Sequence, residues 1–401
     1  MTNENFRINV YDELLDDLST RLKNTKWTKG IDKSHWEYGT NKKYLQDFVA
    51  YWIEEYDWKT QEKQFNSYPQ FKCNIDDVDI HFFHIKGKGE NPLPIILSHG
   101  WPDSFIRYQK IIPILTNPAR FGRNPNDSFD VVIPSLPGFG FSTLPDSRGI
   151  NNADVADLWQ QLMTKKLGYE KFGALGGDMG SGVTRYLAYK YPESLVAIHL
   201  TDVGIIKDIV FSDNIGNLSA EEKQYKQTAL QWMSQEGAYI SIQSTKPQTL
   251  GYGLSDSPVG LSAWILEKFY SWGDCNGNLE NKFTKDELLN NIMIYWLNNS
   301  IGTSNQIYYE NTHSLPKIGK IIVPTGMAVF SKDVLLPPRT WVESNLNLVH
   351  WTDIPEGGHF TAMECPDLFA DDVIKFFKNF RAIAKSNQPI DKTSSGDVQP
   401  L

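Results

Sequence analysis

The amino-acid sequence predicts an α/β fold with a doubly wound, mostly parallel sheet, preceded by a helical extension and split by a helical insertion. Three observations carry this. Short apolar runs alternate with helical stretches in two separate parts of the chain, 93–205 and 316–385. Between them, over 206–315, the alternation breaks into helix-rich, aromatic-rich sequence. Ahead of both, residues 1–92 open with two amphipathic helical stripes.

Each element follows from its local pattern. Val10, Leu14, Leu18 and Leu22 recur every four residues, and Leu45, Phe48, Val49, Trp52 and Tyr56 form a second stripe. Each stripe needs a partner surface to bury it, so the pair reads as an arm lying on something larger. Residues 77–85 and 94–98 read as strands, the second a continuous buried-type run of Ile95, Ile96 and Leu97. Further strands are expected at 129–134, 171–175 and 195–200, with helices over 154–167 and 183–191 between them. The pattern resumes with strands at 321–330 and 348–354 and a helix over 366–380. The polar tail, 386–401, is expected to be disordered.

Composition excludes several function classes. Of 401 residues 40% are hydrophobic, enough for a large core. A net charge of −9 argues against a nucleic-acid grip, which needs basic stripes that release counterions. It argues equally against an anionic membrane surface. No apolar run reaches the roughly 18 residues of a bilayer span, and residues 1–7 lack a signal-peptide pattern. Cys73, Cys275 and Cys365 are odd in number and widely spaced, which suggests neither a disulfide framework nor a zinc site. A cytoplasmic protein without a membrane anchor is the expectation.

The chemistry is concentrated in Phe-Gly-Ala-Leu-Gly-Gly-Asp-Met-Gly-Ser at 172–181. A strand runs into small residues, one functional residue, more small residues, and then a helix. This is the nucleophile elbow, whose sharp turn leaves no room beside the nucleophile, so Gly176 and Gly180 are sterically required. The usual occupant is Ser; here it is Asp178. A carboxylate attacks well at saturated carbon, as in an epoxide or alkyl halide, and poorly suits acyl transfer. The competing structural reading of this segment alone is a Gly-Gly-Asp turn capping a helix.

Two further segments argue for the chemical reading. The strand ending Ser-His-Gly-Trp-Pro at 98–102 is placed to offer an N–H to an oxyanion, the other coming from the residue after the nucleophile. Those donors are Trp101 and Met179, with Pro102 fixing the turn, and His99 reads as structural. Of eight histidines, His359 alone lies in a glycine-rich loop (Glu-Gly-Gly-His-Phe, 356–360) after the last strand and before a helix, where a triad base belongs. Asp333, in the loop after the preceding strand, is favoured as its acid, and Asp202, after the strand at 195–200, competes.

Together, Gly-Gly-Asp-Met-Gly-Ser at 176–181, His-Gly-Trp-Pro at 99–102 and Gly-Gly-His-Phe at 357–360 resemble the epoxide hydrolases related to the microsomal and juvenile-hormone enzymes, on the α/β-hydrolase fold. The resemblance extends over nearly the whole chain, including 243–251, 256–260 and 266–269. It implies that 206–315 is a helical cap and that two cap tyrosines donate to the epoxide oxygen. By local context these are Tyr239 and Tyr308, with Tyr309 a neighbouring candidate. It further implies a small apolar epoxide as substrate, no metal or organic cofactor, and leaves a homodimer open. The chain departs from the family at Met179, where Trp is frequent; the backbone N–H survives the change. Haloalkane dehalogenase, a biosynthetic epoxide-opening enzyme and a non-catalytic binding protein on the same scaffold remain alternatives. Trp101, Trp264, Trp296, Phe139 and Tyr252 are the expected aromatic pocket residues.

Overall fold

A computed structural model of the protein describes residues 4–30, 35–145 and 149–382; the polar tail lies outside the described residues. Nine strands form one sheet: β1 (Glu4–Asn5), β2 (Gln70–Ile75), β3 (Val78–Ile85), β4 (Leu93–Ser98), β5 (Phe129–Pro134), β6 (Phe172–Gly176), β7 (Leu195–Leu200), β8 (Ile321–Phe330) and β9 (Leu346–Ile354). Their order is β1-β2-β3-β5-β4-β6-β7-β8-β9. Pairing is parallel from β5 across to β9 and antiparallel among β1, β2, β3 and β5.

Every residue of β4, β5, β6 and β7 is buried. Such strands have both faces covered by helices, which is why they appear in the sequence as unbroken apolar runs rather than alternating ones. The order reverses at β4, flanked by β5 on one side and β6 on the other. Ligands of open α/β sheets bind beyond the carboxyl ends of strands at such a switch point, and Trp101 follows β4 while Asp178 follows β6.

The extension contains both expected helices, and the strand expected at 77–85 is β3; β1 and β2 were not anticipated. The extension thus supplies β1, β2 and β3 to the sheet, and β2 pairs with β3 from Gln70↔Phe83 to Ile75↔Val78. The two expected stripes shift as well. The first helix runs Asp12–Lys23, so Val10 enters the core from the segment before it, while Leu14 is 48% exposed. The second, Lys42–Glu54, stops short of Tyr56. The partner surface that these helices require is the inserted helical layer. The Tyr51 hydroxyl donates to Asp286 Oδ1 at 2.8 Å, the Tyr56 hydroxyl to Asn290 Oδ1 at 2.7 Å, and Trp36 stacks on Tyr270 at 4.1 Å.

Between β7 and β8 the long helices are Ala220–Gln235, Ala238–Thr245, Pro247–Asp256, Pro258–Trp272, Lys285–Leu297 and Ile301–His313. Capping boxes fix two of their starts, Ser219 with Glu222 and Thr284 with Glu287. Among the described residues no helix is long and apolar enough to cross a membrane, and Cys73, Cys275 and Cys365 are buried free thiols.

Candidate active site

Asp178 stands at the tip of the turn between β6 and the helix Met179–Lys190, with φ +56°. A side chain rarely adopts that conformation, at a cost of about 1–3 kcal/mol, unless the surroundings impose it. They do so here through glycine: a Cβ on Gly176 would run into the Gly180 carbonyl, and one on Gly180 into the Ser98 carbonyl. The Asp178 N–H donates to Asp202 Oδ2 at 2.7 Å, pinning the turn from below.

The Asp178 side chain is largely enclosed, 16% exposed, and that burial by itself raises its pKa. Contact with His359 and backbone donation from Trp101 and Met179 outweigh that and hold it below the usual range. The Trp101 N–H reaches Oδ1 at 2.8 Å. This leaves Oδ2 facing His359 Nε2 at 3.3 Å, an ion-pair contact too far off line for a directed hydrogen bond.

His359 Nδ1 lies 2.8 Å from Asp333 Oδ1. A carboxylate only accepts, so Nδ1 carries the proton and Nε2 is turned to Asp178. Burial lowers the His359 pKa, but Asp333 and Asp178 together raise it well above the ordinary value. Asp202 makes no such bond. Its Oδ2 accepts from the Asp178 N–H and the Ser181 hydroxyl and its Oδ1 from the Gly204 N–H, while burial and the nearby Asp333 charge push its pKa up to about 6. Between the two acids, the contact with the imidazole is Asp333's.

The loop carrying His359 is held from three sides. Its N–H donates to the Trp272 carbonyl at 2.9 Å, Glu364 accepts from Gly358 and Phe360 at 2.8 Å each, and Arg107 Nη2 donates to the His359 carbonyl at 2.7 Å. Arg107 is fully buried and paired with Asp103. Asp103→Asn should therefore leave a buried guanidinium unpaired and cost about 3–5 kcal/mol of stability. Denaturant unfolding measures this, and a loss below about 1 kcal/mol would sink the assignment. The other buried histidines have structural partners. His81 bonds Ser135 and Gln70, His99 bonds the Gly100 carbonyl and accepts from the Leu136 N–H, and His199 bonds Asp372, which the half-buried His350 shares.

Tyr239 and Tyr308 meet in the cavity that Asp178 lines, their rings 5.9 Å apart and near perpendicular. Tyr239 is stacked on Trp101 at 5.2 Å. Burial and the Asp178 charge raise the Tyr239 pKa well above 10; burial, Tyr239 and Asp178 do the same for Tyr308. The buried Tyr308 hydroxyl has no hydrogen-bond partner among the described residues. Tyr309 is 38% exposed and stacks on His313, away from the site.

Asp178, Met179, His359, Asp333, Asp202, Tyr239 and Tyr308 all line one cavity of about 240 Å³. The expected aromatic wall needs correction. Tyr252 is 71% exposed, Trp296 lies under Arg21, Phe139 packs on His99, and Trp264 reaches only the edge of Trp101. Trp232 and Trp272 line the cavity instead. Nothing in their local sequence distinguishes them from other helical tryptophans. Among the described residues no group of side chains is arranged to hold a metal.

Comparison with known proteins gives the family. Residues 3–108 match the epoxide hydrolase N terminus, and residues 94–235 match the alpha/beta hydrolase fold. Epoxide hydrolase 1 of Oryctolagus cuniculus is 37% identical, the alignment covering 92% of this chain and 88% of that protein. Juvenile hormone epoxide hydrolase 1 of Ctenocephalides felis is 34% identical, with 94% and 86% covered. The crystal structure of juvenile hormone epoxide hydrolase from Bombyx mori superposes with a TM-score of 0.87 at 32% identity, covering 95% of each chain. The structure of Aspergillus niger epoxide hydrolase gives 0.82 at 32% identity, covering 95% and 97%. By sequence and by fold, the chain belongs to the epoxide hydrolase family.

Proposed function

We propose that this epoxide hydrolase converts a small apolar epoxide and water to a vicinal diol through an alkyl ester on Asp178. The observation that carries the reading is one cavity in which a carboxylate faces two buried phenols on one side and an imidazole on the other. Asp178 Oδ2 attacks an epoxide carbon, the C–O bond breaks, and Tyr239 and Tyr308 supply the proton to the departing oxygen. The phenols are buried and neutral, so they donate without first losing a hydration shell.

Ester formation removes the charge of Asp178, one of the two carboxylates that keep His359 protonated. The tyrosinate left behind is the stronger base and takes the imidazolium proton. Neutral His359 then draws a proton from water, which attacks the Asp178 carboxyl carbon. The oxyanion forms on Oδ1, which the Trp101 N–H already reaches, with the Met179 N–H directed at the same carboxylate. Collapse breaks the bond to Oδ2. The diol oxygen takes the proton from the imidazolium, and the new carboxylic acid returns its own proton to His359.

This scheme favours an oxygen leaving group over a halide. The tyrosine pair suits an alkoxide, and the side chain at Met179 offers no N–H to a departing halide. Incubation with a panel of epoxides and a 1-haloalkane tests it: diol is expected, and halide release would move the assignment to a dehalogenase. Asp333→Asn adds a pH test. Losing the Asp333 charge lowers the His359 pKa, so the acid limb of ester hydrolysis, where His359 must be neutral, should move to lower pH. The rate itself should fall about a hundredfold or more as the imidazole loses its orientation. An unmoved limb in single-turnover profiles would remove Asp333 from this role.

A further inference from the structure

The cavity does not end at the nucleophile. It continues along the helix Met179–Lys190, where Gly182 and Arg185 also line it. Counted from Asp178 they stand four and seven residues on, so all three share one helix face. Over that span the helix rises about 10 Å. Trp232, Trp272 and the two tyrosines supply the cavity's aromatic wall, and Asn152, Thr312 and the exposed Lys207 add polar groups to the lining.

Arg185 is an anomaly on this path. Its Nε is buried without a hydrogen-bond partner, and its guanidinium forms neither a hydrogen bond nor an ion pair with any described residue. Arg107, buried just behind the same site, is neutralised by Asp103. Asp202, the acid whose field reaches Arg185 most strongly, is saturated by the Asp178 N–H, the Ser181 hydroxyl and the Gly204 N–H. Burial works against the Arg185 charge and lowers its pKa. Arg185 is half-buried, with its Nε enclosed and its charge unpaired, so an anion entering the cavity can pair with it. The planar fork of a guanidinium fits the two oxygens of a carboxylate, and a single cation balances a single negative charge. Gly182, on the same helix face, makes room for the Asn152 amide, which fills the place a Cβ would take and adds a polar group to the lining.

We propose that Arg185 anchors a carboxylate on the substrate, so that the preferred epoxides are epoxy acids whose carboxylate lies several carbons from the ring. This rests on the reading of Asp178 as nucleophile. The test compares kcat/KM for a series of ω-epoxy alkanoic acids and their methyl esters in wild type, Arg185→Met and Arg185→Lys. The wild type should favour the acid at the matching chain length by about tenfold or more, the scale of a charge-assisted hydrogen bond. That ratio should fall to near unity in Arg185→Met and be partly kept in Arg185→Lys. Equal rates for acid and ester in the wild type would overturn the proposal, as would a preference indifferent to Arg185→Met. Calorimetric binding of octanoate supplies a readout independent of turnover. Binding at least tenfold weaker in a folded Arg185→Met supports the anchor even if no epoxide is hydrolysed, and equal binding rejects it. Failure of every epoxide with octanoate still bound through Arg185 would instead reject the nucleophile reading.

Discussion

His359→Gln is expected to alkylate normally and then stall, accumulating protein heavier by the mass of one epoxide. The first half-reaction uses the Asp178 carboxylate, the N–H groups that hold it and the two phenols. None of these depends on a base. The second half-reaction needs a proton taken from water, and His359 Nε2, 3.3 Å from Asp178 Oδ2, is the base placed to take it. Steady-state turnover should drop about a hundred- to ten-thousandfold, the usual worth of a positioned base. One condition follows from the electrostatics. His359 is the strongest influence lowering the Asp178 pKa against burial, so its loss raises that pKa and slows alkylation as pH falls. The adduct should be sought at neutral pH or above, by intact mass and then in the peptide containing Asp178. Rapid turnover with no trapped ester would sink the scheme.

Asp178→Ala removes the nucleophile itself and should abolish both adduct and diol, by about 10⁵-fold or more on the scale of other lost nucleophiles. The fold should survive, since the turn is imposed by Gly176, Gly180 and the bond from the residue 178 N–H to Asp202. A melting curve checks this. Retained diol formation in a folded Asp178→Ala would mean that water attacks the epoxide directly. Isotope placement separates the same two routes in the wild type. In a single turnover in heavy-oxygen water, the ester route leaves the label in the Asp178 carboxylate and puts an enzyme oxygen in the diol. Direct attack by water labels the diol instead.

Much of this was legible in the chain because the physics is local. The elbow at 172–181 is written in glycines that a tight turn requires. The buried strands show as apolar runs because both of their faces are covered, and the reading placed β5, β7 and β8 at the bounds the structure gives. The loop around His359 carries its own glycines between a strand and a helix. Where local pattern was thin, the reading failed. β1 has only two residues, and β2, Gln-Phe-Lys-Cys-Asn-Ile, is neither a clean alternation nor an apolar run. β1 and β2 went unseen for that reason, while β3 was expected at 77–85.

By itself, the sequence determined the fold class, the Asp-bearing elbow and the glycine-rich loop of His359, since steric and periodic constraints act over a few residues. Tertiary structure alone decided which acid touches the imidazole, Asp333 at 2.8 Å rather than Asp202, which the Asp178 and Gly204 N–H groups and the Ser181 hydroxyl already occupy. It also set Tyr308 rather than Tyr309 into the cavity, replaced the expected aromatic wall with Trp232 and Trp272, and left Arg185 unpaired along the same path. Each of these depends on which face of a helix meets which distant element. That is fixed by packing between segments far apart in the chain, and no local pattern encodes it.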